Sequence, residues 1–271
     1  GTPVAGTMAH SFVQVHDFES DAFAAFAHAF PDNATLLIDT YDTEAAARMV
    51  VPLAKWLMEE EQIRVKAVRI DSGDLAALAC SVRSILDAGG CEDINIIASG
   101  NLDEYALQAL LERGAPIDGF GVGTRMNTSS DAPYLDCAYK LVEYDGRPLR
   151  KRSTGKAPWP GAKQVFRHVG ADGVMREDVL ALLHERRSGE SLLEPVMRAG
   201  RPLAPAPALS EIRARAQAQL AMLPPALCAL QPAAPYPVRI SAKLQQLASE
   251  VDASQDGHAA ADRARWEQDA E

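Results

Sequence analysis

The chain has 271 residues and a mass of 29.1 kDa, which suffices for one large domain or a domain and a half and excludes a peptide, a repeat array or a disulfide-stapled miniprotein. Hydrophobic residues make up 47% and charged residues 24% of it, and no apolar run approaches the roughly 20 residues that cross a bilayer. The composition therefore predicts a soluble globular protein without a membrane partner.

The formal net charge of −10 is unevenly divided along the chain. Residues 1–150 hold 11 Lys and Arg against 23 Asp and Glu, whereas residues 151–271 hold 16 against 14. Binding along nucleic acid requires clustered Lys and Arg that neutralise phosphates. The acidic balance therefore argues against a nucleic-acid partner.

Cysteine spacing and the N-terminus bear on the compartment. The four cysteines form no C-x-x-C pair and have no histidine at zinc-ligand spacing, which disfavours a disulfide framework and a structural zinc. We expect buried free thiols in a reducing, cytoplasmic compartment. The first residues show no signal or transit pattern, and we expect that the chain is a piece of something longer.

The first half of the chain alternates strand and helix signals. Four short apolar runs predict strands over residues 35–40, 65–70, 94–99 and 119–124, and their starts lie 25 to 30 residues apart. Apolar residues recur at helical spacing between them and predict helices over residues 44–61, 75–88 and 102–113. Asp42 and Asp74 are expected N-caps, and Gly89 and Gly114 are expected to follow helix ends. This alternation predicts parallel βα units.

The pattern changes after residue 124. Residues 134–144 and 147–153 predict a hairpin around Asp145-Gly146, and residues 165–169 and 174–176 predict a second one. A basic loop, residues 151–163, lies between them. Helices are expected over residues 178–186, 210–223 and 241–251, with a disordered tail over residues 252–271.

Chemistry is expected at the carboxyl ends of the parallel strands, where βα loops and helix N-termini converge. Those ends are residues 39–42, 69–74, 99–101 and 121–124. In the second, the Arg69 guanidinium could grip a carboxylate or phosphate, and Asp71 could take sugar hydroxyls or a metal. The alternative is an internal ion pair beside the Asp74 cap.

Two further patterns are candidates. Gly121, Gly123 and Thr124 would let backbone N–H groups and a hydroxyl approach a phosphate monoester, although an ordinary tight turn has the same pattern. His10 lies between hydroxyl-bearing residues near a strand-like start and could be a nucleophile or general base. A structural histidine is the alternative reading of His10.

Seven motifs, taken in order, resemble those of nicotinate phosphoribosyltransferases. They are GTMAHSF (6–12), LLIDTYDT (36–43), VRIDSGDL (68–75), ASGNLDE (98–104), GFGVGT (119–124), YKLV (139–142) and PGAKQVFR (160–167). The resemblance implies part of a parallel α/β barrel of the TIM-like, type II phosphoribosyltransferase kind, with antiparallel β hairpins and a helical C-terminal tail. The expected segments are residues 1–133 for the barrel part, 134–176 for hairpins of an α+β domain, 177–251 for the helical region and 252–271 for the tail.

The resemblance also implies an activity and a site. Nicotinate and 5-phosphoribosyl 1-diphosphate would give nicotinate mononucleotide and diphosphate, with ATP as co-substrate and Mg²⁺ as cofactor, in NAD salvage. By the motif match, His10 is the histidine that ATP phosphorylates, and Thr7 and Arg69 hold nicotinate. The residues expected to hold phosphoribosyl diphosphate are Asp71, Ser72, Gly73, Gly100, Asn101, Gly121, Gly123 and Thr124.

The chain departs from the family in having only five residues before Gly6, where the family carries part of the barrel and most of an α+β domain that completes the site across a dimer. We therefore expect this piece to be inactive alone and the full-length protein to be a homodimer. Three alternatives stay open: an inactive fragment that binds phosphate or a partner chain, a relative that uses nicotinamide or quinolinate, and a more distant phosphate-binding barrel enzyme.

Overall fold

The computed structural model describes residues 7–129, 137–153 and 155–268. The chain divides into two compact units, Gly1–Trp159 with Glu250–Glu271, and Pro160–Ser249. The boundaries expected from the sequence, after residues 133, 176 and 251, stay predictions. Among the described residues, no helix has both the length and the apolar character that a membrane crossing requires.

A parallel sheet organises the first unit. Its strands run in the order β1-β2-β3-β4, and every neighbouring pair is parallel. The strands are β1 (Ala34–Leu37), β2 (Val65–Ile70), β3 (Asn95–Ser99) and β4 (Gly119–Gly121). The helices are α1 (His10–Gln14), α2 (Glu19–Ala29), α3 (Thr43–Glu61), α4 (Leu75–Ala88), α5 (Glu104–Glu112) and α6 (Thr124–Asn127), and a 3₁₀ turn covers Pro31–Asn33. The predicted parallel α/β arrangement is confirmed.

Local signals set the helix ends. The carboxylates of Asp42 and Asp74 accept hydrogen bonds from the backbone three residues further on, so both predicted N-caps are confirmed. Gly114 follows α5 with φ of +63°, as expected of a residue beyond a helix end. Gly89 follows the end of α4, as expected, but it is the C-cap residue with helical backbone angles, and the left-handed residue is the next one, Gly90, with φ of +71°.

Apolar side chains fill both faces of the sheet. All four residues of β1 are buried, and Leu36, Ile70 and Ile96 are fully inaccessible to solvent. Phe23 from α2 and Leu53 from α3 belong to the same buried cluster. Burial on both faces is the reason that β1 is apolar except at Thr35 rather than alternating.

The first predicted hairpin is shorter than expected. Its strands are β5 (Glu143–Tyr144) and β6 (Arg147–Pro148), joined by Asp145 and Gly146, both with positive φ. Residues 134–136 of the predicted first strand lie outside the described residues. Beyond β6, Arg152 donates its backbone N–H to the carbonyl of Thr40.

A second sheet dominates the second unit. Its strand order is β12-β8-β7-β9, and β7 pairs antiparallel with β8, so the second predicted hairpin is confirmed. The strands of this unit are β7 (Lys163–Val169), β8 (Met175–Leu182), β9 (Glu190–Ser191), β10 (Met197–Arg198), β11 (Arg201–Pro202) and β12 (Val238–Ile240). Helix α7 spans Leu209–Ala221, a 3₁₀ turn spans Pro225–Cys228, and helix α8 spans Ala242–Gln268.

Two expectations about the C-terminal half are wrong. The helix predicted over residues 178–186 is largely strand β8, because Val179 and Ala181 pack with Phe166 of β7 while Asp178 pairs with Arg167. Tertiary pairing there overrides local helix propensity. The tail predicted to be disordered continues α8 as far as Gln268.

The cysteines are free, as predicted, but their burial differs from the expectation. Cys91 is buried, whereas Cys80, Cys137 and Cys228 are exposed. Cys80 follows the buried Ala79 on α4 and therefore lies on the side of that helix that faces solvent.

Leu53→Ala tests the core. Leu53 is fully buried, so the substitution is expected to lower the free energy of unfolding by about 2–5 kcal/mol through lost burial and the cavity left behind. Leu111→Ala is the matched helical control, because Leu111 is 64% exposed, and it should change stability by less than about 0.5 kcal/mol. Urea unfolding measures both, and equal effects would contradict this core.

Candidate active site at the sheet edge

Side chains from three separate parts of the chain meet at the carboxyl edge of the parallel sheet. His10 begins α1, while Asp39 and Asp71 follow β1 and β2. Each offers a ligand atom, and these atoms lie within 4.8 Å of one another. The ends of the first two strands therefore converge on His10.

Two contacts orient the His10 ring. Its Nε2 lies 2.5 Å from Nζ of Lys151, and its Nδ1 lies 3.1 Å from Oγ1 of Thr40. A charged ammonium group can only donate, so Nε2 accepts from Lys151. The ring proton is then on Nδ1, which donates to the Thr40 hydroxyl oxygen.

The surroundings of His10 favour its neutral form. Burial lowers the pKa of His10 below its usual 6.5, and Lys151 lowers it further, while Asp71 and Asp39 act in the opposite direction. Nε2 lies 3.8 Å from a carboxylate oxygen of each aspartate. At neutral pH the ring therefore presents a nitrogen lone pair inside a cluster of charged groups.

Lys151 and Asp39 form the buried centre of the cluster. Both residues are 2% exposed, and Nζ of Lys151 lies 3.6 Å from Oδ2 of Asp39. Burial lowers the pKa of Lys151, although Asp39 and Asp71 oppose that shift. The Ser72 hydroxyl donates to the Asp39 carboxylate, and the Ser153 hydroxyl donates to the Asp39 carbonyl. The other Asp39 oxygen, Oδ1, is buried without a hydrogen-bond partner among the described residues.

Asp71 is held by partners from two other segments. Ser99, at the end of β3, donates to its Oδ1 at 2.7 Å, and Nζ of Lys156 lies 3.0 Å from its Oδ2. Burial by itself would raise the pKa of Asp71, but its contacts with His10, Ser99 and Lys156 outweigh it and hold that pKa well below its usual range. Asp71 is therefore a fixed negative charge beside His10.

Arg69 supplies a further cation. Burial lowers the pKa of its guanidinium, and the nearby charges of Asp71 and Asp39 oppose that shift. Its Nε is buried and has no hydrogen-bond partner within the described part of the chain. The guanidinium thus has donor capacity to spare near the cluster, and planar carboxylates are its natural partners.

Glycine is required at one predicted loop position. Gly100 has φ of +104°, and a Cβ there would lie 2.3 Å from the backbone oxygen of Asp71. The same carbonyl accepts a hydrogen bond from Lys156 at 2.6 Å. The loop after β3 can approach Asp71 this closely only without a side chain. Asn101, which follows, is exposed and has φ of +53°.

The structure does not bring every predicted site residue into the cluster. The Thr7 hydroxyl donates to the Thr35 carbonyl at 2.8 Å, which ties Thr7 to the first half of β1. Gly123 and Thr124 are exposed around the start of α6, and within the described residues no side-chain hydrogen bond or ion pair joins them to the charged cluster. Gly121 is nearer, since a Cβ on it would lie 3.2 Å from Cβ of Ser99.

A polar pocket of about 210 Å³ adjoins the cluster and shares two of its residues. It is lined by Asp39, Tyr41, Asp42, Thr43, Glu44, Ser72, Gly73, Leu78, Arg152 and Ser153. Gly73 has φ of +81° at its rim. Asp39 and Ser72 thus face both the His10 cluster and a cavity large enough for part of a small ligand.

Sequence reasoning assigned no role to five residues that build this site. Asp39, Thr40 and Ser99 were placed at strand ends by position alone, and Lys151 and Lys156 only within a basic loop. A concentration of lysines in one loop of an otherwise acidic chain is the signal that could have found the last two. No local spacing links Lys151 to His10, because 141 positions separate them.

The first unit is of the parallel α/β class, and its strand ends carry a cluster of charged side chains around an uncharged histidine. Comparison with known proteins shows which family the chain resembles. Residues 186–248 match the family model described as the nicotinate phosphoribosyltransferase C-terminal domain. The chain is 47% identical over 246 residues to nicotinate phosphoribosyltransferase pncB2 of Mycobacterium tuberculosis H37Rv, covering 90% of this chain and 52% of that relative.

Two further comparisons name the same activity. The nicotinate phosphoribosyltransferase of Bacillus subtilis is 38% identical over 200 residues, which cover 70% of this chain and 40% of the relative. The crystal structure of human nicotinic acid phosphoribosyltransferase is 27% identical, covers 92% of this chain and 62% of its own, and has a TM-score of 0.38. The predicted resemblance to nicotinate phosphoribosyltransferases is confirmed, and the chain spans about half the length of the curated relatives it matches.

The protonation state of His10 is directly measurable. We expect long-range ¹H–¹⁵N NMR spectra at pH 7.5 to show a neutral ring with the proton on Nδ1, titrating with a midpoint below 6.5. Because the folded pKa lies below the unfolded one, acidification through pH 6.5 protonates His10 of the unfolded chain first and so lowers stability. A midpoint at or above 6.5, or a proton on Nε2, would contradict the geometry around Lys151.

Proposed function

We propose that the full-length protein is a nicotinate phosphoribosyltransferase that joins nicotinate to 5-phosphoribosyl 1-diphosphate and uses ATP to drive the reaction. The observation that carries the proposal is the neutral His10 ring, whose Nε2 lone pair lies among two carboxylates and the Lys151 ammonium. The similarity over nine-tenths of the chain supports the same activity.

This geometry supports a phosphorylation of His10 by ATP. Nε2 would attack the γ-phosphorus of ATP, form the N–P bond and release ADP, with the ring proton retained on Nδ1. Lys151 occupies the space beside Nε2 and would move from the nitrogen to the transferred phosphoryl oxygens. The Thr40 contact at Nδ1 fixes the ring plane during the attack.

The charges around His10 suit a new dianion. Two carboxylates lie near His10, those of Asp39 and Asp71. They are accompanied by three cationic side chains, Lys151, Lys156 and Arg69, so the positive charges exceed the negative ones by one. A phosphoryl group adds nearly two negative charges. Phosphorylation would therefore change which anions the cluster can hold, and this couples ATP to the binding of diphosphate.

Transfer of the phosphoribosyl group builds oxocarbenium-like charge on the sugar as diphosphate leaves. Asp71, Ser72 and Gly73 would contact the ribose and diphosphate, and Gly100 and Asn101 would lie by the 5-phosphate with Gly121, Gly123 and Thr124. Arg69 and Thr7 would hold nicotinate, with the guanidinium on its carboxylate. The catalytic task of the protein is then to position the pyridine nitrogen against the sugar and to stabilise charge.

Magnesium fits the donor set at the sheet edge. Asp39 has a buried oxygen without a hydrogen-bond partner in the described part of the chain, and carboxylate oxygens are the ligands that Mg²⁺ prefers. Asp39 and Asp71 would hold the ion, which would neutralise diphosphate when bound.

The proposal extends to the assembly and the fold. The four parallel strands lie in consecutive order, and within the described residues β1 and β4 each lack a second neighbour, which is compatible with a sector of an α/β barrel. We propose that the remainder of the full-length protein completes the barrel and that a homodimer in the cytoplasm completes the nicotinate site.

Product formation by the full-length protein tests the proposal. With nicotinate, phosphoribosyl diphosphate and Mg²⁺, we expect nicotinate mononucleotide, with ATP increasing the rate at least tenfold in the wild type. His10→Ala should abolish the ATP stimulation. Absence of product with any pyridine, together with ligand-induced thermal stabilisation, would instead favour an inactive phosphate-binding homologue.

Arg69→Lys tests the choice of pyridine. The variant keeps the charge but loses the planar fork of donors, so KM for nicotinate is expected to rise at least tenfold with a smaller change in kcat. Competition among nicotinate, nicotinamide and quinolinate in the wild type is the companion measurement. Preference for nicotinamide or quinolinate would replace nicotinate in the proposal.

A further inference from the structure

The segment that carries Lys151, residues 150–153, makes contacts in two separate places of the first unit. Alternate residues of this segment have different partners. Lys151 and Ser153 contact Asp39, one through its carboxylate and the other through its carbonyl. Arg150 and Arg152 have their ion-pair partners elsewhere in the first unit.

Those partners lie on the part of α8 that follows residue 249. Nη1 of Arg150 lies 3.3 Å from Oδ2 of Asp252, and Nη1 of Arg152 pairs with Asp256. Asp252 and Asp256 are four positions apart on α8 and therefore lie on the same face of the helix. Between them, the Gln255 amide donates to the backbone carbonyl of Arg150 at 2.8 Å.

The same helix is fixed to the element that follows His10. Asp262 is 1% exposed and accepts hydrogen bonds from the backbone and the hydroxyl of Ser20, at the start of α2. Trp266 contacts Trp56 edge to face, with ring centroids 6.2 Å apart. α8 therefore contacts both the 150–153 segment that carries Lys151 and the start of α2, the helix that follows α1 and His10 in the chain.

We propose that Asp252, Gln255 and Asp256 are positioning residues that hold the 150–153 segment so that the Lys151 ammonium stays beside Nε2 of His10, within reach of a phosphoryl group transferred to that nitrogen. None of the three touches His10 in the described contacts, so they act through Lys151. The inference rests on the proposed function, because only there does the Lys151–His10 contact become reactive. A nearly fully buried ammonium group gains solvation whenever it leaves, and external ion pairs oppose that escape.

Acylation of lysine amines by acetic anhydride, read by mass spectrometry, tests the positioning without any activity. In the full-length protein we expect Asp252→Ala with Asp256→Ala to raise the initial acylation rate of Lys151 at least tenfold relative to the exposed Lys55. Alanine maintains the helix. Arg263→Ala, at an exposed site on the same helix, should leave Lys151 within twofold of wild type. Equal protection of Lys151 in the aspartate variant overturns the inference.

Rescue by glutamate and kinetic measurements distinguish a positioning role of the two aspartates from a general loss of structural order. Asp252→Glu with Asp256→Glu keeps both charges and should restore protection of Lys151 to within threefold. In an active wild type, the alanine pair should lower kcat at least tenfold and leave KM for phosphoribosyl diphosphate within twofold. An unchanged kcat, or no restoration by glutamate, overturns the positioning role. If the wild-type protein forms no product, the proposed function is wrong. The acylation result then still decides whether α8 holds Lys151 in place.

Discussion

The ammonium group of Lys151 is the point on which the site depends. It is 2% exposed, lies 2.5 Å from Nε2 of His10 and stands 3.6 Å from the Asp39 carboxylate. Desolvation of an ammonium and a carboxylate costs several kcal/mol each, so neither group would stay buried without the other. Because the two buried charges stabilise each other, His10 can remain uncharged beside them. His10 is the proposed nucleophile.

Strand topology explains how distant residues reach this point. Parallel strands end at the same edge of the sheet, so Asp39, Asp71 and Ser99 come together although about 30 residues separate each from the next. Gly100 then allows the third loop to touch the Asp71 backbone, and Lys156 closes the cluster from a later segment. The ends of the sheet strands supply the carboxylates, and the later loop supplies the lysines.

Features encoded by neighbouring residues could be predicted from the sequence, whereas features that depend on contacts between distant residues could not. β2 and α4 have the bounds expected from their sequences, since apolar spacing and the Asp74 cap are encoded within a few residues. The strand character of residues 178–182 depends on pairing with β7, and the order of α8 beyond residue 251 depends on Asp262 meeting Ser20. His10 and Asp71 could be singled out as candidates by motif, whereas Lys151 could not, because its role comes from a contact across 141 positions.

The most direct test is the chemical identity of phosphorylated His10. Full-length protein incubated with ATP and Mg²⁺ at pH 7.5, then examined by ³¹P NMR and mass spectrometry, is predicted to carry its phosphoryl group on Nε2 of His10, beside Lys151. Phosphate on Nδ1 or on another residue, or no phosphoprotein in an enzyme whose turnover consumes ATP, would contradict the account.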